Sequence, residues 1–360
     1  MALLDSLGFG MSTAYADFAN YGVLASLPGN TNMVIHTGGP LGDNYLSNYN
    51  TNTNSSVCGA ERVFPNAAGT FFFGCRFQPL DSNQQIGFMD TGAPNNLGAG
   101  GYPQFVLNFN AVTGVISVIS GLHGGTLLAQ SPTGAFVSGQ WFYLEVGGVI
   151  GASGSVTVRV NGASVITAVA VNTYGSSGAP GASATVGGVA WVGLYNNYAN
   201  AFIQHMYFCD NSTTENNTFL GDVRVQSIFP SGPGGTTQFT PVGGATNWQN
   251  AATVPPAPGT DYNTDGTVGA LDNFAIGGLD PSFSTIKAVS VKTLALKSSS
   301  GTRAVASTVL SGATTGTGAS TPLGTTAAVV AAIFPNDPAT SAPWTTSGVQ
   351  ACKPGYTVSA

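Results

Sequence analysis

The sequence predicts an all-β protein, on three observations. Charged residues make up 7% of the 360 positions, with three Glu and four Lys, so the straight-chain residues that usually cover helix surfaces are nearly missing. Short alternating or β-branched apolar stretches recur between Gly, Pro and Asn clusters, the spacing of a sandwich or barrel. A hydrophobic share of 43%, with 20 Phe, 12 Tyr and 4 Trp, separates this Gly-rich chain from disordered sequences, which combine low hydrophobicity with high charge.

The strands expected in the first 210 residues are Thr70 to Phe77, Phe105 to Phe109, Val115 to Ile119, Trp141 to Val149, Ser155 to Val160, Val165 to Val171 and Val189 to Tyr195. In Ser155 to Val160 the three valines fall on one face, and Ser155, Thr157 and Arg159 on the other. The stretch runs into Asn161-Gly162, a two-residue hairpin signal, and Ala163 to Ile166 begins the return strand. Pro230 to Pro258 is rich in Gly, Pro, Thr and Asn, but Phe239, Trp248 and Val254 mark it as an ordered connection rather than a free linker. A second β pattern follows in Thr285 to Leu296, Arg303 to Leu310, Thr326 to Phe334 and Gly355 to Val358. One short helix is expected near Leu3 to Leu7.

Composition also excludes function classes. A net charge of −6 and a pI near 4.7, with no Lys/Arg cluster, leave no footprint for nucleic acid. The longest clean apolar run, Ala327 to Phe334, falls far short of the roughly 18 residues of a membrane span. The N-terminus carries Asp5 and Asp17 and no positive n-region, which does not read as a secretory signal. Cys58, Cys75, Cys209 and Cys352 show no C-x-x-C spacing and are expected as buried free thiols.

Two stretches carry a resemblance. WFYLEVGGVIGASGSVTVRVNGASVITA, Trp141 to Ala168, resembles concanavalin A-like and laminin G-like sandwich domains, where a Trp opens one strand and a later strand ends in an Asn-Gly or Asp-Gly hairpin. FIQHMYFCDNSTTENNTFLGDVRVQSIFPSGPGGTTQFTPVGGATNWQN, Phe202 to Asn250, resembles bacteriophage virion proteins in which a lectin-like sandwich closes with a strand, a short acidic turn and an FLGDVRV-type segment. The resemblance covers about residues 70–360 and implies a concanavalin A-like jelly-roll sandwich followed by a smaller C-terminal β-sandwich domain; with the reading of the residues this divides the chain into the sandwich with an N-terminal arm over 1–222, a long ordered connection over 223–280, and the C-terminal domain over 281–360. It implies a non-enzymatic virion structural protein, assembled in the host cytoplasm as a homo-oligomer among other virion proteins. Two roles stand side by side: a tail-fibre or tail-tip component that binds a bacterial surface polysaccharide, and a capsid decoration or head-fibre protein that covers the shell without binding sugar. Residues 1–69 are expected as either an extra strand layer or an arm that docks the chain to its particle, the apolar Met1 to Leu7 stretch favouring the arm.

Candidate sites follow from residue chemistry. Sandwich glucanases need two carboxyls on one strand face, about 5 Å apart for retaining chemistry; Glu61, Glu145 and Glu215 are isolated in sequence, so no catalytic residue is expected. His36, His123 and His205 lack metal or nucleophile spacing and are expected as ordinary strand or loop histidines. Sugar binding in this fold uses an aromatic ring to stack and amides to meet hydroxyls, which selects Tyr45 and Tyr49 in one loop and Tyr195, Asn196, Asn197 and Tyr198 in another. Asp261, Asn263, Asp265, Gly266 and then Asp272 match a calcium-loop pattern except that Asp272 replaces the final Glu. Calcium is the one cofactor this pattern allows; the competing reading is an Asx-rich turn whose carboxylates hold backbone amides.

Overall fold

The computed structural model describes residues 3–8, 25–26, 32–41, 43–49, 58–80, 84–90, 103–121, 125–175, 184–193, 201–244 and 246–360. The chain forms two compact units, Met1–Val225 and Gln226–Ala360. Among the described residues it is almost entirely β, with two helices of six residues each, Asn247–Ala252 and Thr346–Ala351.

The first unit is a sandwich of two antiparallel sheets. The larger runs in the order Ala163–Val171, Gly154–Val160, Phe142–Val149, Thr70–Pro79, Ala201–Asp210, Tyr45–Tyr49 and Asn32–His36, with Leu3–Leu7 also paired to Ala201–Asp210. The smaller runs Leu127–Gln130, Val115–Ser120, Pro103–Asn110, Gln84–Met89, Val186–Gly193, Cys58–Ala68 and Ala25–Ser26. Strand alternation builds the core between them. Phe71, Phe73 and Phe77 point inward from the larger sheet and meet Phe88 and Phe109 of the smaller, with ring centroids 4.8–5.6 Å apart. The residues between them, Phe72, Gly74, Arg76 and Gln78, belong to the outward face of the larger sheet. Fully buried phenylalanines dominate this core, and burying aromatic side chains of 150–250 Å² each contributes much of the driving force.

The Asn161-Gly162 turn forms as expected, with φ of 49° and 81°, the pair of positive values that a type I′ hairpin needs. The helix expected near Leu3 to Leu7 is instead a strand paired with Met206–Cys209. Its period is two: Leu3, Asp5 and Leu7 are all buried, and Asp5 forms a 2.6 Å ion pair with Arg62 of the smaller sheet. An acidic residue in a short apolar run reads as polar in sequence, and here it pairs with a residue 57 positions away. The described parts of residues 1–69, expected as a strand layer or a docking arm, supply five strands to the two sheets.

In the second unit the main sheet runs Pro230–Thr237, Leu271–Ile276, Lys353–Val358, Ala304–Ser311 and Thr314–Thr317, with Thr321–Pro322 also paired to Ala304–Ser311. Val289–Ala295 pairs with Ala328–Phe334 beside it. Val291, Val309, Ala332, Phe334, Trp344, Val349 and Cys352 form its core, and the Trp344 indole N–H donates to the Phe334 carbonyl. The stretch expected as a connection over 223–280 lies mostly inside this unit, whose boundary falls at Gln226. Its first strand, PSGPGGTT, has no apolar periodicity because it is an edge strand, where Pro costs no ladder hydrogen bond. Cys75, Cys209 and Cys352 are buried free thiols; burial raises all three, Cys352 to about 11, so they pack as small apolar groups.

Candidate functional site

The outward face of the larger sheet carries two adjoining surfaces. The first is an aromatic cluster. Phe202 lies opposite Gln78 on one side and Ser47 on the other, while Tyr45 lies opposite His36. The Tyr45 ring stacks on His36 at 5.0 Å, meets Trp141 edge-on at 5.6 Å and leans on Phe202 at 5.1 Å; Trp141 and Phe202 are 6.2 Å apart. The imidazole of His36 shares a 2.8 Å hydrogen bond with the Ser47 hydroxyl. All four rings are half-buried, packed against one another and still open to solvent on one side.

The second surface is covered. Residues 219–225, the FLGDVRV segment, cross the sheet face without regular secondary structure. Phe219 packs edge-on against Phe72 and under the Arg159 guanidinium, 4.0 Å from its ring centre. Glycine makes the room: a Cβ on Gly147 would stand 2.7 Å from the Phe219 ring. The Gly221 N–H donates to Glu145 Oε1, the Leu220 N–H to the Tyr207 hydroxyl, and that hydroxyl to Glu145. Arg76 pairs with Asp222, Arg224 with Asp43, and the Val225 N–H donates to Nδ1 of His205. Burial raises the Tyr207 and Tyr143 hydroxyls well above the ordinary tyrosine value and lifts Asp222 against the pull of Arg76. His205 is lowered to about 4, chiefly by burial, with Arg76 and Arg224 adding to the effect and Asp43 opposing it. Its backbone sits at φ 47°, inside a register shift between Gln204 and Tyr207. A bulge of this kind re-aims side chains.

Of the sugar-binding residues expected from sequence, Tyr45 is in the aromatic cluster. Tyr49 closes its strand opposite Asn32, with its side chain outside the described residues, as are Tyr195, Asn196, Asn197 and Tyr198 entirely. Sequence reading missed His36, Trp141 and Phe202 as partners of Tyr45, because three distant parts of the chain bring them together. Glu145, unremarkable in sequence, is the buried acceptor that holds the 219–225 segment.

The calcium-loop residues do separate tasks. Asp265 accepts from the Thr267 N–H, an Asx turn. The Asn263 amide donates to the Asn247 carbonyl and the Tyr356 hydroxyl. Asp272 is fully buried and accepts from the Gln238 and Phe239 N–H groups and from Asn247, while the Asp261 N–H closes a turn onto the Ala257 carbonyl. No group of three or more His, Cys, Asp or Glu side chains among the described residues is arranged to hold a metal ion. Nearby, an apolar cleft of about 270 Å³ is lined by Pro233, Pro241, Trp248 and Phe274; its one amide, Asn247, is committed to Phe239 and Asp272.

These features define a two-sheet antiparallel β-sandwich followed by a second β unit. No known protein family and no curated protein matches the sequence. Among solved structures, the carbohydrate-binding module CBM66 from Bacillus subtilis is 11% identical, TM-score 0.34, over 53% of this chain and 98% of its own. A carbohydrate esterase from the Shiga toxin-encoding bacteriophage phi24B is 14% identical, TM-score 0.39, over 58% of this chain and 99% of its own. A Bacillus subtilis protein of unknown function with a galectin-like fold is 10% identical, TM-score 0.38, over 58% of this chain and 96% of its own.

Proposed function

We propose that the chain is a non-enzymatic structural protein of a bacteriophage particle, of the tail-fibre or tail-tip kind, and that its first unit binds a host surface glycan. It works as a homo-oligomer among other virion proteins, assembled in the host cytoplasm and carried on the virion, with no cofactor. The observation that carries the glycan reading is the solvent-reachable cluster of Tyr45, Trp141 and Phe202 beside His36, since a sugar's apolar face stacks on such rings. The virion assignment rests on the Phe202 to Asn250 resemblance and on a surface built from amides and hydroxyls in place of charges.

A second reading, a capsid decoration protein, is favoured by the edge strand Ala163–Val171, which carries no charge and leaves Val169 71% exposed. Such an edge suits burial against a neighbouring protein. Immunogold labelling of intact particles separates the two, with gold at the tail tip for the first and over the head for the second. A glycan array probed with the wild type and with Trp141→Ala tests the site. The expected result is binding that falls about tenfold in the variant; binding that the substitution leaves unchanged refutes the cluster as the site.

A further inference from the structure

Arg76, Tyr143 and Gln204 stand in one row across three neighbouring strands, since both Tyr143 and Gln204 are register partners of Arg76. Phe202, Gln78 and the start of the Trp141 strand make the next row, two residues along, roughly 7 Å away. A chain that merely rested on this sheet would be held by an apolar floor. The floor here is instead a guanidinium, two phenols, an amide and an imidazole.

It is also incompletely used. Asp222 accepts from Nη2 of Arg76, while Nε, on the same edge of the guanidinium, has no hydrogen-bond partner among the described residues. Gln204 is fully buried and donates to the Asp43 carbonyl, yet among the described residues its Oε1 has no partner either. Buried polar atoms are nearly always paired, and exceptions call for an explanation. A guanidinium edge offers two parallel N–H groups to a carboxylate, and only one is taken. The Asp222 side chain is 47% exposed, and ion pairs this open to water contribute little, so its place can be exchanged.

We propose that the sheet face beneath residues 219–225 is a binding floor for a carboxylate-bearing saccharide, and that Asp222 occupies the carboxylate position intramolecularly, competing with that ligand for Arg76. With residues 219–225 lifted from the sheet, the ligand's carboxylate takes the Nε and Nη2 edge of Arg76, its hydroxyls meet Tyr143 and Gln204, and the adjoining sugar stacks on Trp141 and Phe202. This rests on the glycan reading above and narrows it to acidic glycans.

The test compares the full-length wild type, Asp222→Ala and the double variant Asp222→Ala/Arg76→Met, each shown folded by near-ultraviolet circular dichroism. The probes are trigalacturonic acid and its neutral counterpart galactotriose, followed by calorimetry at pH 7. The expected result is a tenfold or greater gain in affinity for the acidic trisaccharide in Asp222→Ala. The gain disappears in the double variant, and galactotriose binding is the same in all three. If either sugar binds but Asp222→Ala gains nothing for the acidic one, the competition is refuted and the glycan reading stands. If neither sugar binds any of the three folded proteins, both are refuted.

Discussion

Lowering the pH from 7 to 4 is expected to loosen the first unit through His205. The imidazole is fully buried and accepts a hydrogen bond from the Val225 N–H at Nδ1, which only the neutral ring can do. Burial holds its pKa near 4 against 6.5 for a free histidine. Between these values the unfolded chain binds a proton that the folded chain refuses, so stability falls as pH drops through that window and levels off below it. At 1.36 kcal/mol per pKa unit the full loss is about 3 kcal/mol. The groups facing the ring are Asp43, whose Oδ2 lies 3.2 Å from Nε2, with Arg76 and Arg224 beyond it. Asp222, raised by burial, also titrates at acid pH, so the measurement is a difference. Urea unfolding of the wild type and of His205→Gln is followed from pH 7 to 4, with hydrogen exchange reading the Ala201–Asp210 strand. Gln keeps an acceptor for Val225 and has no proton to gain. The variant is expected to lose less stability on acidification, by up to about 3 kcal/mol. Equal pH slopes in the two proteins would refute the claim that the buried imidazole must stay neutral.

Two further substitutions test the packing. Asp5→Ala leaves Arg62 charged and buried without its carboxylate, which costs about 3–5 kcal/mol; urea midpoints measure it, and a cost under about 1 kcal/mol would mean that water reaches the guanidinium. Gly74→Ala would push a methyl into the Tyr207 ring and to 2.7 Å from the Tyr143 hydroxyl, an overpacking cost of about 1–3 kcal/mol. It should also speed exchange at the Leu220 and Gly221 amides, whose acceptors are Tyr207 and Glu145. A variant as stable and as protected as the wild type would show that the segment does not depend on that ring.

The sequence by itself determined the β class, because a chain with 7% charged residues cannot cover helix surfaces, and because local alternation and turn chemistry are written residue by residue. The Asn161-Gly162 hairpin and the strand over Ser155 to Val160 were legible for that reason, as was the burial of Cys75, Cys209 and Cys352. Leu3–Leu7 was not, since its polar member is paid for by Arg62 in another sheet. Nor was Pro230–Thr237, whose edge position excuses it from any apolar pattern. The candidate site was legible in one ring, Tyr45. Trp141, Phe202 and His36 join it only when strands from three distant parts of the chain lie side by side. The FLGDVRV segment was visible as a motif, but its role as the cover of Arg76, Glu145 and His205 depends on sheet register. Local propensity is carried by neighbours in sequence; a binding surface is made by neighbours across a sheet, and only the tertiary structure decides which those are.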